Sequence, residues 1–179
     1  MLSKKQIKLI RALSQKKYRS RHGLFMVEGS KGITEFLNSN FQLEQLYTTV
    51  LDFEIPAEFI TKVSEADLKK ISNLKTPNAA LAIFKMPKAQ DIRPNGLILA
   101  LDAVRDPGNL GTIIRLCDWY GITNLICGVD TVDCYNPKVV QATMGSLTRV
   151  HISYLDLESF ISNSKLPSFG TFMTGKTIY

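Results

Sequence analysis

A polar turn followed by an arginine is the part of this sequence whose residue types are best suited to chemistry. The strong turn formers of residues 106–109, Asp-Pro-Gly-Asn, follow the apolar run 97–101. Open α/β sheets place their ligands at the carboxyl ends of strands. A helix beginning near Asn109 would carry the guanidinium of Arg115 within about two turns. An amide, backbone N–H donors and a guanidinium suit a phosphate or a ribose, whereas a well-formed turn beside an unrelated surface arginine is the alternative.

Most of the positive charge lies at the N-terminus. The 179 residues include 22 Lys and Arg and 16 Asp and Glu, and residues 1–31 hold nine of these bases and one acid. Ser3 and Gln6 have the spacing of a capping box, and the helix they predict has basic and apolar side chains on opposite faces. Such a face can be merely solvated, or it can bind a polyanionic backbone. The candidate RNA-binding residues are Lys4, Lys5, Lys8, Arg11, Lys16, Lys17, Arg19 and Arg21.

Other motifs argue against several common classes of site. Residues 170–177 fit GxxxxGK[ST], but the predicted elements provide no helix after them to hold a phosphate. The glycines of the turn have GxxG rather than GxGxxG spacing, which disfavours dinucleotide binding. An odd number of cysteines without CxxC spacing predicts reduced thiols in a cytoplasmic protein and no metal site. No apolar run approaches the length of a membrane span.

Apolar periodicity and turn residues predict an α/β protein. In the first half we expect the basic helix, strands over 24–27, 44–50 and 79–84, and helices over 31–38 and 65–71. In the second half we expect strands over 97–101, 124–129, 150–155 and 169–173 and helices over 110–120, 137–147 and 156–163. Repeated alternation of strand and helix implies right-handed crossovers and a parallel sheet. The continuous apolar run 97–101 is typical of a strand covered on both faces.

The composition of the segment before residue 97 predicts a domain boundary. Two prolines, a glycine and several polar side chains give residues 87–96 the composition of a linker. We therefore expect a first domain over residues 1–87, a linker over 88–96 and a second domain over 97–179.

The turn also resembles a known motif. Residues 101–115, Leu-Asp-Ala-Val-Arg-Asp-Pro-Gly-Asn-Leu-Gly-Thr-Ile-Ile-Arg, resemble almost throughout the first motif of the SpoU/TrmH family of RNA ribose 2′-O-methyltransferases, in the SPOUT superfamily. Residues 136–146 resemble the segment that follows in that family, in which a helix ends in Ser/Thr-x-Gly. Residues 17–19, 23–29 and 76–82 resemble its ribosomal-protein-like substrate-binding domain.

The resemblance implies a fold, a cofactor and a partner. It implies a small N-terminal ribosomal-protein-like α/β RNA-binding domain, followed by a Rossmann-like parallel-sheet SPOUT domain with a trefoil knot. It implies transfer of a methyl group from S-adenosylmethionine to a ribose 2′-hydroxyl of rRNA or tRNA, and a homodimer. The active-site residues that it implies are Asn109 and Arg115. The arginine either takes part in removing the 2′-hydroxyl proton or clamps a phosphate, which needs no change of protonation.

One part of the family pattern is missing from the sequence. The glycine-rich motif and the Ser-Leu-Asn helix, which form the knot and most of the methyl-donor pocket, do not occur before Tyr179. We therefore expect a truncated chain with an incomplete SPOUT domain, whose cofactor-binding residues lie C-terminal to Tyr179 and which is itself inactive. The alternative to a methyltransferase is a non-catalytic RNA-binding protein.

Overall fold

The computed structural model describes residues 2–50, 52–88 and 96–171. The N-terminal part consists of α1 (Lys4–Ala12), α2 (Lys16–His22), β1 (Leu24–Glu28), α3 (Ser30–Leu37), β2 (Leu43–Thr48), β3 (Ile60–Lys62), α4 (Glu65–Ile71) and β4 (Ala80–Lys85). The C-terminal part consists of β5 (Ile98–Leu101), α5 (Pro107–Trp119), β6 (Asn124–Gly128), α6 (Pro137–Thr143), β7 (His151–Leu155) and α7 (Leu157–Asn163). Short 3-10 turns lie at Ala57–Phe59 and Ser146–Thr148.

The N-terminal part contains a mixed four-stranded sheet in the order β1-β4-β2-β3. Strand β4 is antiparallel to both of its neighbours, and β2 is parallel to β3. Five of the six residues of β4 are buried, as a central strand requires. The sequence analysis predicted β1, β2 and β4 but neither α2 nor the three-residue β3.

The C-terminal part contains a parallel sheet in the order β5-β6-β7. The predicted α/β fold class with a parallel sheet is confirmed. All five residues of β6 are buried. The expectation that residues 97–101 are covered on both faces is wrong, because β5 is an edge strand of the described sheet and Ala100 is exposed.

The helix starts follow the local capping signals. Ser3 and Gln6 form the capping box of α1, the Ser64 side chain accepts from Asp67 N–H, and the Asn136 side chain accepts from Lys138 N–H. Helix α6 ends at Thr143, short of the predicted residue 147. It stops there because the next two residues, Met144 and Gly145, have φ values of +50° and +96°.

Two sequence expectations involve residues that the structure does not describe. Of the strand expected over 169–173, residues 169–171 have no regular secondary structure, and 172 and 173 lie outside the described residues. Residues 89–95 of the expected linker also lie outside them, so the domain boundaries stay predictions. No helix in the described parts of the chain is long and apolar enough to span a membrane.

The two sheets share one hydrophobic cluster. It contains buried residues of β1, α3 and β4 together with buried residues of α5, β6 and α6. The Phe25 ring of β1 lies 4.7 Å, centroid to centroid, from the ring of Tyr135, which precedes α6. The N-terminal and C-terminal parts are therefore packed against each other through apolar side chains.

Arg149 joins the two parts at the amino edge of the parallel sheet, just before β7. Its Nη1 donates to Glu35 of α3 over 2.6 Å, and its Nε and Nη2 donate to Asp118 of α5 over 2.8–3.0 Å. The hydrogen bonds from Arg149 hold the pKa of the Asp118 carboxyl below its ordinary value of 3.8. All three side chains are partly exposed, so the cluster is screened by solvent.

Helices α5 and α6 approach closely at Gly111. A Cβ atom on this glycine would lie 2.4 Å from the Cβ of Ala142 and 3.1 Å from its backbone carbonyl carbon. The contact holds α5 against α6. Because backbone atoms of Ala142 form part of it, a larger side chain at position 111 could fit only if one of the two helices shifted.

We expect Gly111→Ala to destabilise the protein, although the same change in an exposed helix stabilises it by removing a flexible glycine. Overpacking of this kind costs about 1–3 kcal/mol. In thermal unfolding this corresponds to a Tm lower by about 2–4 °C for each kcal/mol. The exposed neighbour Thr112 provides the control, because Thr112→Ala should change stability by no more than about 0.5 kcal/mol. An unchanged or higher Tm for Gly111→Ala would contradict the close contact.

The ion pair of Asp118 should make part of the stability depend on pH. Since the pKa of this carboxyl is lowered in the folded state, its contribution is present above the ordinary value of 3.8 and lost as the pH falls through the folded pKa. We expect Asp118→Asn to lower the free energy of unfolding near pH 7. At about pH 2 the variant and the wild type should have the same free energy of unfolding. Denaturant titrations at several pH values measure this difference. In an Arg149→Met background, the effect of Asp118→Asn on the free energy of unfolding should depend much less on pH. If that effect still depended on pH as strongly as before, the ion pair between Asp118 and Arg149 would be refuted.

Candidate active site

The turn between β5 and α5 is built by its own side chains. The Asp106 carboxylate accepts a hydrogen bond from Asn109 N–H over 2.8 Å and caps α5, and Pro107 occupies the first helical position. Ala103 has a φ of +49°, which lets the chain bend sharply after β5. The helix thus begins three residues before the predicted Leu110, and Asn109 lies in its first turn rather than in the preceding loop.

The loop after β6 holds this turn in place. Val132 N–H donates to Val104 O over 2.9 Å, and the Thr131 hydroxyl donates to Leu101 O over 3.3 Å. Both bonds lie at the carboxyl edge of the parallel sheet, because Leu101 ends β5 and the loop follows the end of β6. The position of Asn109 is therefore fixed relative to the sheet.

Asn109 and Arg115 are both exposed on α5. Six residues along an ideal helix correspond to a rise of about 9 Å and to directions about 120° apart around the axis. Leu110, Gly111 and Ile114 face the core instead. Among the described residues, no hydrogen bond or ion pair engages the side chain of Asn109 or Arg115. The arrangement thus leaves an amide and a guanidinium free to bind one extended ligand, such as a sugar–phosphate.

The predicted basic helix is present, and its charged side chains are exposed. Lys4, Lys5, Lys8 and Arg11 of α1 are exposed, whereas Ile10 is buried and Leu13, just after the helix, is buried as well. On α2 the exposed bases are Lys16, Lys17 and Arg21. We call these seven residues the basic surface.

Arg19 does not belong to the basic surface, and here the sequence prediction is wrong. The residue is 1% exposed, and its guanidinium faces inward. Nη1 donates to the carbonyl oxygens of Leu13 and Ser14 over 2.9 and 2.8 Å. Nε and Nη2 both donate to Asp133 Oδ2, over 3.1 and 2.5 Å. With four of its five N–H groups bonded and the residue buried, Arg19 is not available to a phosphate at the surface.

Two residues of this region were missed from the sequence. The Tyr154 hydroxyl of β7 donates to Val132 O over 2.5 Å and accepts from Cys134 N–H over 2.8 Å. Asp133 accepts from Tyr135 N–H through its second oxygen. Neither residue type carries a local signal for such a role. For α2 a signal did exist, because Gly23, with a φ of +64°, ends the helix in the way that a glycine after a basic run predicts.

Thiol and metal chemistry find no support in the described residues. The three cysteines are free and buried, and desolvation raises the pKa of Cys127 to about 12, so that its reactive thiolate form is suppressed. In the described ranges, no group of three or more His, Cys, Asp or Glu side chains is placed to hold a metal ion.

Two family models match the chain, one over the part that contains the mixed sheet and one over the part that contains the parallel sheet. Residues 4–82 match the MRM3-like substrate binding domain, and residues 96–179 match the SpoU rRNA Methylase family. The second match contains the turn, Asn109 and Arg115.

Similar proteins have consistent names. The mitochondrial rRNA methyltransferase 3 of Xenopus laevis is 34% identical over 164 residues, which cover 83% of this chain and 39% of that protein. The 23S rRNA (guanosine(2553)-2′-O)-methyltransferase RlmP of Bacillus subtilis is 28% identical, with 89% of this chain and 66% of that protein covered. The chain therefore spans between about two fifths and two thirds of these relatives' length.

A solved structure supports the same assignment. The crystal structure of an AdoMet-bound rRNA methyltransferase from Sinorhizobium meliloti superposes with a TM-score of 0.78 at 32% identity. The superposition covers 90% of this chain and 66% of that chain. Together, the two matching domains, the shared fold and the turn that carries Asn109 and Arg115 show that the chain belongs to the SpoU family of RNA methyltransferases.

Proposed function

We propose that the protein containing this chain transfers a methyl group from S-adenosylmethionine to a ribose 2′-hydroxyl of ribosomal RNA. The observation that carries the proposal is the pair of exposed, unpaired side chains on α5, with Asn109 at the carboxyl edge of a SpoU-family sheet and Arg115 six residues further along the helix. Relatives that are named as rRNA methyltransferases favour ribosomal RNA over transfer RNA. The AdoMet-bound neighbour supports the methyl donor.

The proposed chemistry assigns a limited task to each of the two side chains. S-adenosylmethionine supplies an electrophilic methyl group when it is bound. The Arg115 guanidinium binds a phosphate next to the target ribose and orients the 2′-oxygen, and the Asn109 amide hydrogen-bonds the sugar. Arginine side chains in general stay protonated, which favours this clamp over a role as the base that takes the 2′-hydroxyl proton.

The basic surface is the proposed binding site for the RNA backbone. Its seven side chains are exposed on two consecutive helices, and none of them pairs with a carboxylate among the described residues. Unpaired bases in a cluster gain affinity for a polyanion by releasing its counterions. A non-catalytic RNA-binding protein would use the same surface, but the SpoU-family match over residues 96–179 favours the enzyme.

The proposed homodimer has support on α5. The helix leaves Leu116, Trp119 and the adjoining Tyr120 exposed, with 84% of Trp119 and 73% of Tyr120 accessible. Large apolar side chains grouped in this way are typical of an interface. We further propose a cytoplasmic location, in keeping with three free thiols.

In the complete protein, Arg115→Ala should abolish methyl transfer and leave RNA affinity largely unchanged, because Arg115 lies outside the basic surface. Transfer of a radiolabelled methyl group to rRNA and filter binding of the same RNA measure the two properties. The control Lys69→Ala removes one exposed positive charge from α4 and should retain full activity. Turnover that stays at the wild-type level in Arg115→Ala would contradict the proposed site.

Changes on the basic surface should have the opposite pattern. For the double variant Lys5→Ala/Lys8→Ala we expect weaker RNA binding and a less steep dependence of log K on log salt concentration. Each phosphate contact that is lost lowers this slope by about 1. The measurement is RNA affinity at several salt concentrations, again with Lys69→Ala as the control. A slope equal to that of the wild type would show that α1 does not contact the RNA backbone.

A further inference from the structure

Arg19 connects three segments, two of which are adjacent in the sequence while the third lies 114 residues away. It lies on α2, it binds the carbonyl oxygens of Leu13 and Ser14 at the end of α1, and it forms an ion pair with Asp133 after β6. The side chains of the pair are 2% and 12% exposed. A buried guanidinium with four hydrogen bonds has little freedom, so α1 and α2 are held against the loop after β6.

The contacts continue from this loop to the candidate active site. Next to Asp133, Val132 N–H donates to Val104 O in the turn that leads into α5. The Tyr154 hydroxyl fixes the same loop from the other side, through Val132 O and Cys134 N–H. Two hydrogen-bonded contacts, Arg19 to Asp133 and Val132 to Val104, thus connect the helices of the basic surface to the turn that presents Asn109.

Aromatic packing accompanies the ion pair. Tyr135, two residues after Asp133, packs its ring on Phe25 of β1, which follows α2 after a single glycine. Asp133 also accepts from Tyr135 N–H, so the ion pair and the ring contact share one short segment. The packing adds an apolar contact beside the charged one.

We propose that Arg19 is a positioning residue, which sets the orientation of the basic surface relative to Asn109 and Arg115 without touching the RNA. This inference rests on the proposed function and adds to it the element that aligns RNA binding with catalysis. Misplacement of a substrate by about 1 Å can cost about 100-fold in rate, so a loosened joint should reduce turnover even when affinity persists.

The test compares a buried and an exposed arginine of the same helix in the complete protein. The variants are Arg19→Met and, as the matched control, Arg21→Met. Because Arg19→Met leaves Asp133 buried without its partner, the double variant Arg19→Met/Asp133→Leu is included, since it removes both charges and is expected to fold. Thermal unfolding establishes that each variant is folded.

Three measurements are made on each folded variant. Spin labels at Ser20→Cys and Thr112→Cys, both at exposed positions, report the distance distribution between α2 and α5. Binding of an rRNA transcript over a series of salt concentrations gives the slope of log K. Single-turnover methyl transfer gives the rate of the chemical step.

For the double variant we expect a broader or shifted distance distribution, a wild-type salt slope and a rate lower by about tenfold or more. For Arg21→Met we expect the wild-type distance distribution and a salt slope lower by about 1. A narrow wild-type distance distribution in the double variant, or a salt slope that falls as in Arg21→Met, would overturn the proposal. Absence of methyl transfer in the wild-type protein would refute the proposed function instead, and the distance measurement would still decide the role of Arg19.

Discussion

The packing of α1 and α2 against the loop after β6 depends on how the buried charge of Arg19 is compensated. A guanidinium removed from water is strongly unfavourable unless its N–H groups find acceptors and its charge finds a partner. Arg19 meets both conditions with two carbonyl oxygens and the Asp133 carboxylate. Each acceptor comes from a different structural element than α2 itself, so satisfying the charge also assembles the elements.

This compensation explains why the basic N-terminal segment divides into two functions. Seven of the eight bases on α1 and α2 are exposed to solvent, whereas Arg19 turns inward and joins these helices to the loop after β6. Arginine suits the inward position because its planar fork can bind carbonyl and carboxylate oxygens at the same time. The neighbouring lysines lack this geometry and keep a hydrated ammonium group at the surface.

Features decided by interactions within a few residues could be predicted from the sequence. The caps at Ser3, Ser64 and Asn136 depend on side chains that bond to backbone two or three positions away. The alternation of strands and helices predicted the parallel sheet, because a helix between two strands returns the chain to the same end of the sheet. Asp106 and Pro107 are also typical helix-start residues, so the early start of α5 had a local signal. Because both are strong turn formers as well, the prediction assigned them to the turn.

Features that depend on distant partners could not be predicted in this way. Arg19 and Asp133 are separated by 114 residues. Although Arg19 lies in the family-like segment 17–19, neither its charge nor its spacing indicates that it is buried whereas Arg21 is exposed. The exposure of Ala100 likewise follows from the place of β5 at the edge of the described sheet. At the candidate site, the motif indicated Asn109 and Arg115, but the bond from Val132 to Val104 that steadies their turn comes from tertiary structure.

The two arginine clusters lie at opposite edges of the parallel sheet, with Arg19 at the carboxyl edge and Arg149 at the amino edge. Because the two parts of the chain are joined at two separated points, rotation about one arginine would break the hydrogen bonds of the other. The angle between the two parts of the chain is therefore set by these clusters and by the shared core.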